Sequence, residues 1–322
     1  MQIGLPKGEA ADADLQRFQA ALSKLLGKTD PPAKILLAVS GGPDSLALLI
    51  LAARTLPGQI EAATVDHRLR PESRAEADYV AAICASLGIT HHILTPAQPI
   101  TGSMQAAARE TRYALLTECA RQQGCDWIAT AHHADDQLET LLMRLARGSG
   151  VNGLSGVRAR QGMVIRPLLE FTKSELEAIC ANAEIEPVFD PSNANTDYDR
   201  VVIRNWLANG HPLDASRAVR SAAALADAAE ALDWMTDQFV RERITVKQSE
   251  IEIDLNALPN ELKRRLLLRA LSMAEPGLTP RGSALDRCLD AIMREDNMML
   301  GNQLISGKDG TCLVRPAPPR KN

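Results

Sequence analysis

Two short stretches hold residue types that can do chemistry together. The first is Ser40-Gly41-Gly42-Pro43-Asp44-Ser45, which follows the apolar run Ile35 to Val39 and precedes a helical pattern from Leu46 through Ala53. Two adjacent glycines open backbone angles closed to other residues, so main-chain N–H groups can come close to an anion. Ser40 and Ser45 add hydroxyl donors, and the helix that follows turns its positive end to the same point. The second is His132-His133-Ala134-Asp135-Asp136-Gln137-Leu138-Glu139-Thr140, which also follows a strand-like run and opens a helix. With that helix starting near Asp135, His132 and Asp136 lie about a turn apart and can face one substrate. A histidine beside carboxylates suits proton movement, and the carboxylates can hold a divalent ion that shields phosphate charge.

The glycine turn differs from two better-known anion loops. Nothing basic follows Gly42, as the G-x-x-x-x-G-K-[ST] loop requires, and the dinucleotide spacing G-x-G-x-x-G is absent. Other candidates carry weaker local signals. Arg109 and Arg112 are three apart on one helix face, Arg200 and Arg204 four apart on another, and Arg147-Gly148-Ser149-Gly150 reads as a helix end or an anion-binding turn. A solvated charge pattern explains each of these pairs about as well as a ligand does.

The elements that must position these residues alternate. Apolar strand patterns end before Ser40, at Ile60–Val65, Thr90–Leu94 and Trp127–Ala131, with a fifth at Met163–Leu169, and helical patterns separate them. Such alternation predicts right-handed crossovers and an α/β fold with a doubly wound, parallel, five-stranded sheet. Ligands of these sheets sit beyond the carboxyl ends of the strands, so Ser40–Ser45, Asp66-His67 and Ala131–Asp136 should share one rim. Thr172 and Glu175 form a capping-box pattern for a helix over 172–183. Residues 1–33 read as a helical lead and 34–212 as the sheet domain. Residues 213–322 read as a second, smaller, mostly helical domain, with hairpin turns at Gly301, Gly307 and Gly310. Asp190 to Tyr198 is polar and turn-rich, which predicts an ordered loop.

Composition narrows the classes. Over 322 residues the net charge is −4 and aromatics are 3%, which argues against a nucleic-acid coat protein and against recognition by many stacked bases. Six scattered cysteines without a C-x-x-C pair predict unpaired thiols of a reducing compartment. No membrane span and no signal pattern are visible, so a cytoplasmic location is expected.

The Ser40–Ser45 turn resembles the pyrophosphate loop of the ATP pyrophosphatase, or PP-loop, superfamily, which implies ATP cleaved to AMP and pyrophosphate. The wider set adds Val65-Asp66-His67-Arg68-Leu69-Arg70, Ala108-Arg109-Glu110-Thr111-Arg112-Tyr113, His132–Thr140, Arg147–Gly150, Asp190-Pro191-Ser192-Asn193 and Arg200 with Arg204. In that order these resemble the tRNA(Ile)-lysidine synthetase family over roughly residues 34–212, although the family has Asn where this chain has Val201. The resemblance implies ligation of free L-lysine to the wobble cytidine of tRNA(Ile) with a CAU anticodon, through an adenylated cytidine, with ATP and Mg²⁺. It implies that residues 213–322 contact tRNA, and it allows a homodimer. On this reading His132, Asp136 and Asp44 are catalytic, and Asp44 and Asp136 hold metal. Ser40, Gly41, Gly42, Pro43, Asp44, Ser45, Asp66 and His67 bind ATP. Arg109, Arg112, Asp135, Glu139, Arg147, Arg200 and Arg204 bind substrate. A PP-loop thiolation enzyme and a non-catalytic AMP-binding module are the alternatives. The first would need relay or cluster cysteines, and the second would not need His132, Asp135 and Asp136.

Overall fold

The computed structural model describes residues 9–27, 32–68, 73–97, 104–188, 198–280 and 282–318. The expected loop from Asp190 lies outside the described residues up to Tyr198, as do Leu69 to Glu72 and the last four residues of the tail. The chain divides into two compact units, one of Met1–Arg147 with Ser155–Ala223, the other of Gly148–Leu154 with Ala224–Asn322.

The first unit runs through α1 (Glu9–Leu26), β1 (Ile35–Ala38), α2 (Pro43–Thr55), β2 (Ile60–Val65), α3 (Ser73–Ser86), β3 (His91–Leu94), α4 (Met104–Gln122), β4 (Trp127–Ala129) and α5 (Ala134–Ala146). After the short α6 (Val151–Leu154), which belongs to the second unit, it continues with β5 (Arg160–Gln161), β6 (Val164–Ile165), α7 (Lys173–Asn182), α8 (Tyr198–Ala208) and the start of α9 (Ala215–Arg243). Five strands pair in parallel in the order β3-β2-β1-β4-β6, and β5 adds an antiparallel edge. The last parallel strand is shorter than the apolar run Met163–Leu169 suggests, because Pro167 has no N–H to continue a ladder.

The hydrophobic pattern explains the layering. Along β1, Ile35, Leu37 and Val39 enter a core with α1, α2, α3 and α7, while Leu36 and Ala38 enter another with α4. This is the two-residue period of a strand buried on both faces. α2 is buried from Ser45 to Ala52, so each of its leucines contributes about 1.5–3 kcal/mol by leaving water. β1 also sits where the strand order reverses, with β2 and β3 on one side and β4 and β6 on the other. The loops leaving β1 and β4 therefore flank one crevice. α7 starts with the expected box: Thr172 Oγ1 accepts the Glu175 N–H at 3.4 Å and Glu175 Oε2 accepts the Thr172 N–H at 2.7 Å.

The second unit adds β7 (Ile244–Lys247), β8 (Glu250–Asp254), α10 (Asn260–Ala274), α11 (Gly282–Met293), β9 (Asn297–Leu300), β10 (Gln303–Lys308) and β11 (Thr311–Pro316). Its strands form an antiparallel sheet in the order β7-β8-β11-β10-β9, packed on α10 and α11. Gly301 and Gly310 make turns at positive φ, whereas Gly307 does not. It lies inside β10, where an added Cβ would come within 2.1 Å of the Ile292 carbonyl oxygen, so it is a contact glycine rather than a turn glycine. Buried Arg265 donates to Glu261 at 2.8 Å, Asp233 at 2.7 Å and Asn152 at 2.8 Å, tying segment 148–154 into this unit.

One polar group is built into the parallel sheet. Glu61 on β2 meets Lys34 Nζ at 2.6 Å and His92 Nε2 at 2.5 Å. Burial opposes its ionisation, yet the hydrogen bonds from Lys34 and His92 hold its carboxyl below the usual range. A depressed acid contributes stability that is complete above its unfolded value and is lost as pH falls through the folded value. Glu61→Gln should therefore lower stability by about 1–3 kcal/mol near neutrality. That gap from wild type should narrow below about pH 4. Urea midpoints of both proteins at neutral and acid pH test this, and a gap independent of pH would contradict it.

Candidate active site at the carboxyl rim of the parallel sheet

The glycine turn is braced from within. Ser45 Oγ accepts the Ser40 N–H at 3.1 Å, donates to the Gly42 carbonyl at 3.0 Å and lies 3.3 Å from Ser40 Oγ. Gly41 takes φ 88°, a conformation that side-chain-bearing residues rarely adopt, and its carbonyl accepts the Val188 N–H at 2.9 Å. Pro43 opens α2 in the position where its missing N–H costs nothing, and no side chain caps that helix. Its first-turn N–H groups are left facing the crevice, as an anion site requires.

The loop after β4 brings two adjacent histidines into opposite environments. His133, at the start of α5, is buried among carboxylates: Asp44 Oδ2 at 3.6 Å, Asp135 Oδ2 at 3.5 Å and Asp136 Oδ2 at 3.5 Å. Burial alone would lower its pKa, but the bonds to Asp135 and Asp44 and the charge of Asp136 raise it to about 10. His132 holds Thr130 Oγ1 at 3.0 Å through Nδ1. Burial is the largest cause that lowers its pKa to about 4. Asp136 opposes that shift, and the charges of Arg166, Arg109 and Arg112 add to it. His132 is thus neutral, and His133 carries charge.

The remaining expected residues divide into those at the rim and those elsewhere. Arg109 and Arg112 on α4 act on His132, and Arg109 lies over the Tyr113 ring at 5.2 Å. Asp66 is buried at the end of β2 and accepts the Arg68 N–H at 2.9 Å. His67 is pushed down by burial and then by Arg112, while Asp66 pulls the other way. Buried Glu139 pairs with Arg204 Nε at 2.6 Å and Arg200 Nε at 3.1 Å, so α8 docks on α5 through that carboxylate. Burial works against the Arg204 charge, but Glu139, Asp136 and Asp44 outweigh it and raise its pKa. Asp135 is largely committed, because Oδ2 also accepts the Lys173 N–H at 2.7 Å at the start of α7. Arg147 follows the far end of α5, about 20 Å along the axis from the histidines, and is not brought to the rim.

Two residues missed in the sequence belong here. No sequence signal gives His133 a role apart from His132, and only its place before the acidic first turn of α5 hints at one. Arg166 interrupts the apolar run Met163–Leu169, and a lone charge in a buried strand pattern is the signal that could have found it. It is 4% exposed, its Nη1 donates to the Arg158 carbonyl at 2.6 Å, and its buried Nε has no hydrogen-bond partner among the described residues.

The PP-loop domain family matches residues 14–210. The chain is 40% identical over 317 residues to the tRNA(Ile)-lysidine synthase of Zymomonas mobilis subsp. mobilis, covering 96% of this chain and 95% of that protein. It is 41% identical over 322 residues to the tRNA(Ile)-lysidine synthase of Novosphingobium aromaticivorans, covering 98% and 97%. The chain belongs to the tRNA(Ile)-lysidine synthase family. As a member of that family it is a ligase with an ATP-binding PP-loop domain. The U34-tRNA thiolase NcsA from Methanococcus maripaludis, solved with its 4Fe-4S cluster, superposes with a TM-score of 0.54 at 19% identity, covering 67% of this chain and 79% of that one. That likeness shows the fold alone. The thiolation alternative is not favoured here, since all six cysteines are buried and burial pushes Cys84, Cys180 and Cys312 up to about 12. No helix among the described residues is long and apolar enough to cross a membrane.

The Glu139 pairing makes a measurable claim. Glu139→Gln keeps the shape but removes the charge that holds Arg200 and Arg204. Unfolding stability should fall by about 1–3 kcal/mol, read as a shift in urea midpoint. A variant as stable as wild type would mean that the two guanidinium groups are fully solvated.

Proposed function

We propose that this chain joins free L-lysine to the wobble cytidine of tRNA(Ile) with a CAU anticodon, at the rim described above. Two steps are needed because an amide-like ring carbonyl is a poor electrophile. The cytosine carbonyl oxygen attacks the α-phosphate of ATP and releases pyrophosphate, and the lysine ε-amine then displaces AMP from the activated ring carbon. The observation that carries the reading is the pairing of an uncapped, serine-braced glycine turn on β1 with a histidine–carboxylate loop on β4 at one crevice.

In this assignment the N–H groups of Gly41, Gly42 and the first turn of α2 hold the departing pyrophosphate, helped by the hydroxyls of Ser40 and Ser45. Arg109 and Arg112 supply positive charge toward the nucleotide phosphates. His132 keeps Nδ1 on Thr130, which leaves Nε2 for the substrate. Asp136 and Glu139, with Arg200 and Arg204 beside them, favour an incoming ammonium and carboxylate, the two charged ends of an amino acid. The ammonium proton leaves through His132 or Asp136, the acceptors nearest the reacting centre.

The residues present suit Mg²⁺. Asp44 Oδ1 is buried with no hydrogen-bond partner among the described residues, and Asp44 and Asp136 approach the same nitrogen of His133. Mg²⁺ binds through one or two carboxylates plus phosphate oxygens and water, and Asp44 and Asp136 are the two carboxylates that would hold it. When bound, it would neutralise charge on the triphosphate.

Incubation with ATP, radiolabelled lysine and the tRNA transcript tests the proposal. Label should enter the tRNA only when all three are present. Asp44→Asn and His132→Ala should each lower incorporation by at least about a hundredfold with an unchanged circular dichroism spectrum. Failure of the folded wild-type protein to label the tRNA would refute the function, and near wild-type turnover by either variant would refute the site.

A further inference from the structure

We infer that the outward face of α8 at Trp206 is a stacking platform for a nucleobase of the tRNA that neighbours the reacting cytidine. The inference rests on the function proposed above and adds a recognition surface to it. α8 has two faces. Arg200 and Arg204, one turn apart, point to Glu139, whereas Val202 and Trp206, also one turn apart, lie about half a turn round and are 51% and 50% exposed. The exposed indole is not a loose side chain. His211 stacks on it with ring centroids 5.9 Å apart and an interplanar angle of 22°. The imidazole is itself pinned, since Nδ1 accepts the Leu213 N–H at 3.1 Å.

A rigid, flat, half-open aromatic pair suits the face of a base, which any nucleotide offers regardless of sequence. The need for such a surface follows from the chemistry. An enzyme that reacts at a base must take that base out of its stack, which leaves the neighbouring bases without their partners. The span is right as well. A helix with its side chains is about 10–12 Å across, so the platform and the Glu139 pairing lie a few nucleotide steps of about 3.4 Å apart. Charge favours a nucleic acid over a second protein surface: α9, which begins four residues after His211, opens with Arg217 and Arg220 exposed. Arg217 is held only by a long ion pair to Asp214, at 3.9 Å, among the described residues. In a chain with 3% aromatic residues, an aromatic braced open to solvent stands apart.

Direct binding of a CAU anticodon stem-loop to the full-length protein tests this without needing turnover, so it fails or succeeds independently of the labelling assay. Trp206→Ala should weaken binding about five- to a hundredfold, and Trp206→Phe should keep most of it. An abasic nucleotide at the stacked position should weaken wild type by a similar factor and leave Trp206→Ala unaffected, while an abasic site in place of the reacting cytidine should weaken both proteins alike. In the labelling assay, Trp206→Ala should raise KM for tRNA and leave KM for ATP unchanged. Equal stem-loop affinity of wild type and a folded Trp206→Ala protein would overturn the inference. So would sedimentation showing that the substitution splits a dimer, which would assign this face to a second copy of the chain.

Discussion

A buried imidazole ringed by three carboxylates ties the candidate site together. Asp44 comes from the first turn of α2, Asp135 and Asp136 from the first turn of α5, and His133 lies 3.5–3.6 Å from all three. Those two helices start at the ends of β1 and β4, neighbours in the sheet at the point where strand order reverses. Sheet pairing sets the coarse distance between the glycine turn and the histidine loop, and the charge on His133 sets the fine one. A cation there offsets the repulsion of three clustered acids, which would otherwise push the two loops apart. Through Asp135 the same cluster reaches the start of α7, whose first N–H it accepts.

What could be read from the sequence was whatever depends on local pattern. β1 and α2 announce themselves because a strand buried on both faces must be apolar throughout, and because Pro43 after two glycines has few other uses. The Thr172 and Glu175 box works the same way, since both partners lie within one turn. The errors fall where meaning depends on distant neighbours. Gly307 looks like a turn residue until the Ile292 carbonyl is seen against it. The run Met163–Leu169 looks like a full strand, although only two of its residues pair. Distance from the rim is likewise invisible in the segment that holds Arg147, which thirteen helical residues carry away from the histidines.

His132 and His133 carry the point further, because no sequence rule separates them. They are adjacent, His133 is buried and His132 half-buried, and burial acts on both in the same direction, yet one is lowered to about 4 and the other raised to about 10. The difference lies in what each ring faces. The extended backbone at His133 turns it toward the acids of α2 and α5, while His132 lies in the field of Arg109, Arg112 and Arg166. Among the described residues no carboxylate forms an ion pair with those three arginines, whereas Asp44, Asp135, Asp136 and Glu139 all gather on the other side. The rim is therefore basic and without carboxylate partners toward α4, whereas toward α5 and α8 four acids meet the charges of His133, Arg200 and Arg204. A reaction that brings a polyanion to meet an amine needs such a division. A uniformly basic crevice would repel an ammonium, and a uniformly acidic one would repel a nucleotide. The neutral imidazole of His132 lies between the two fields, where neither reactant is turned away.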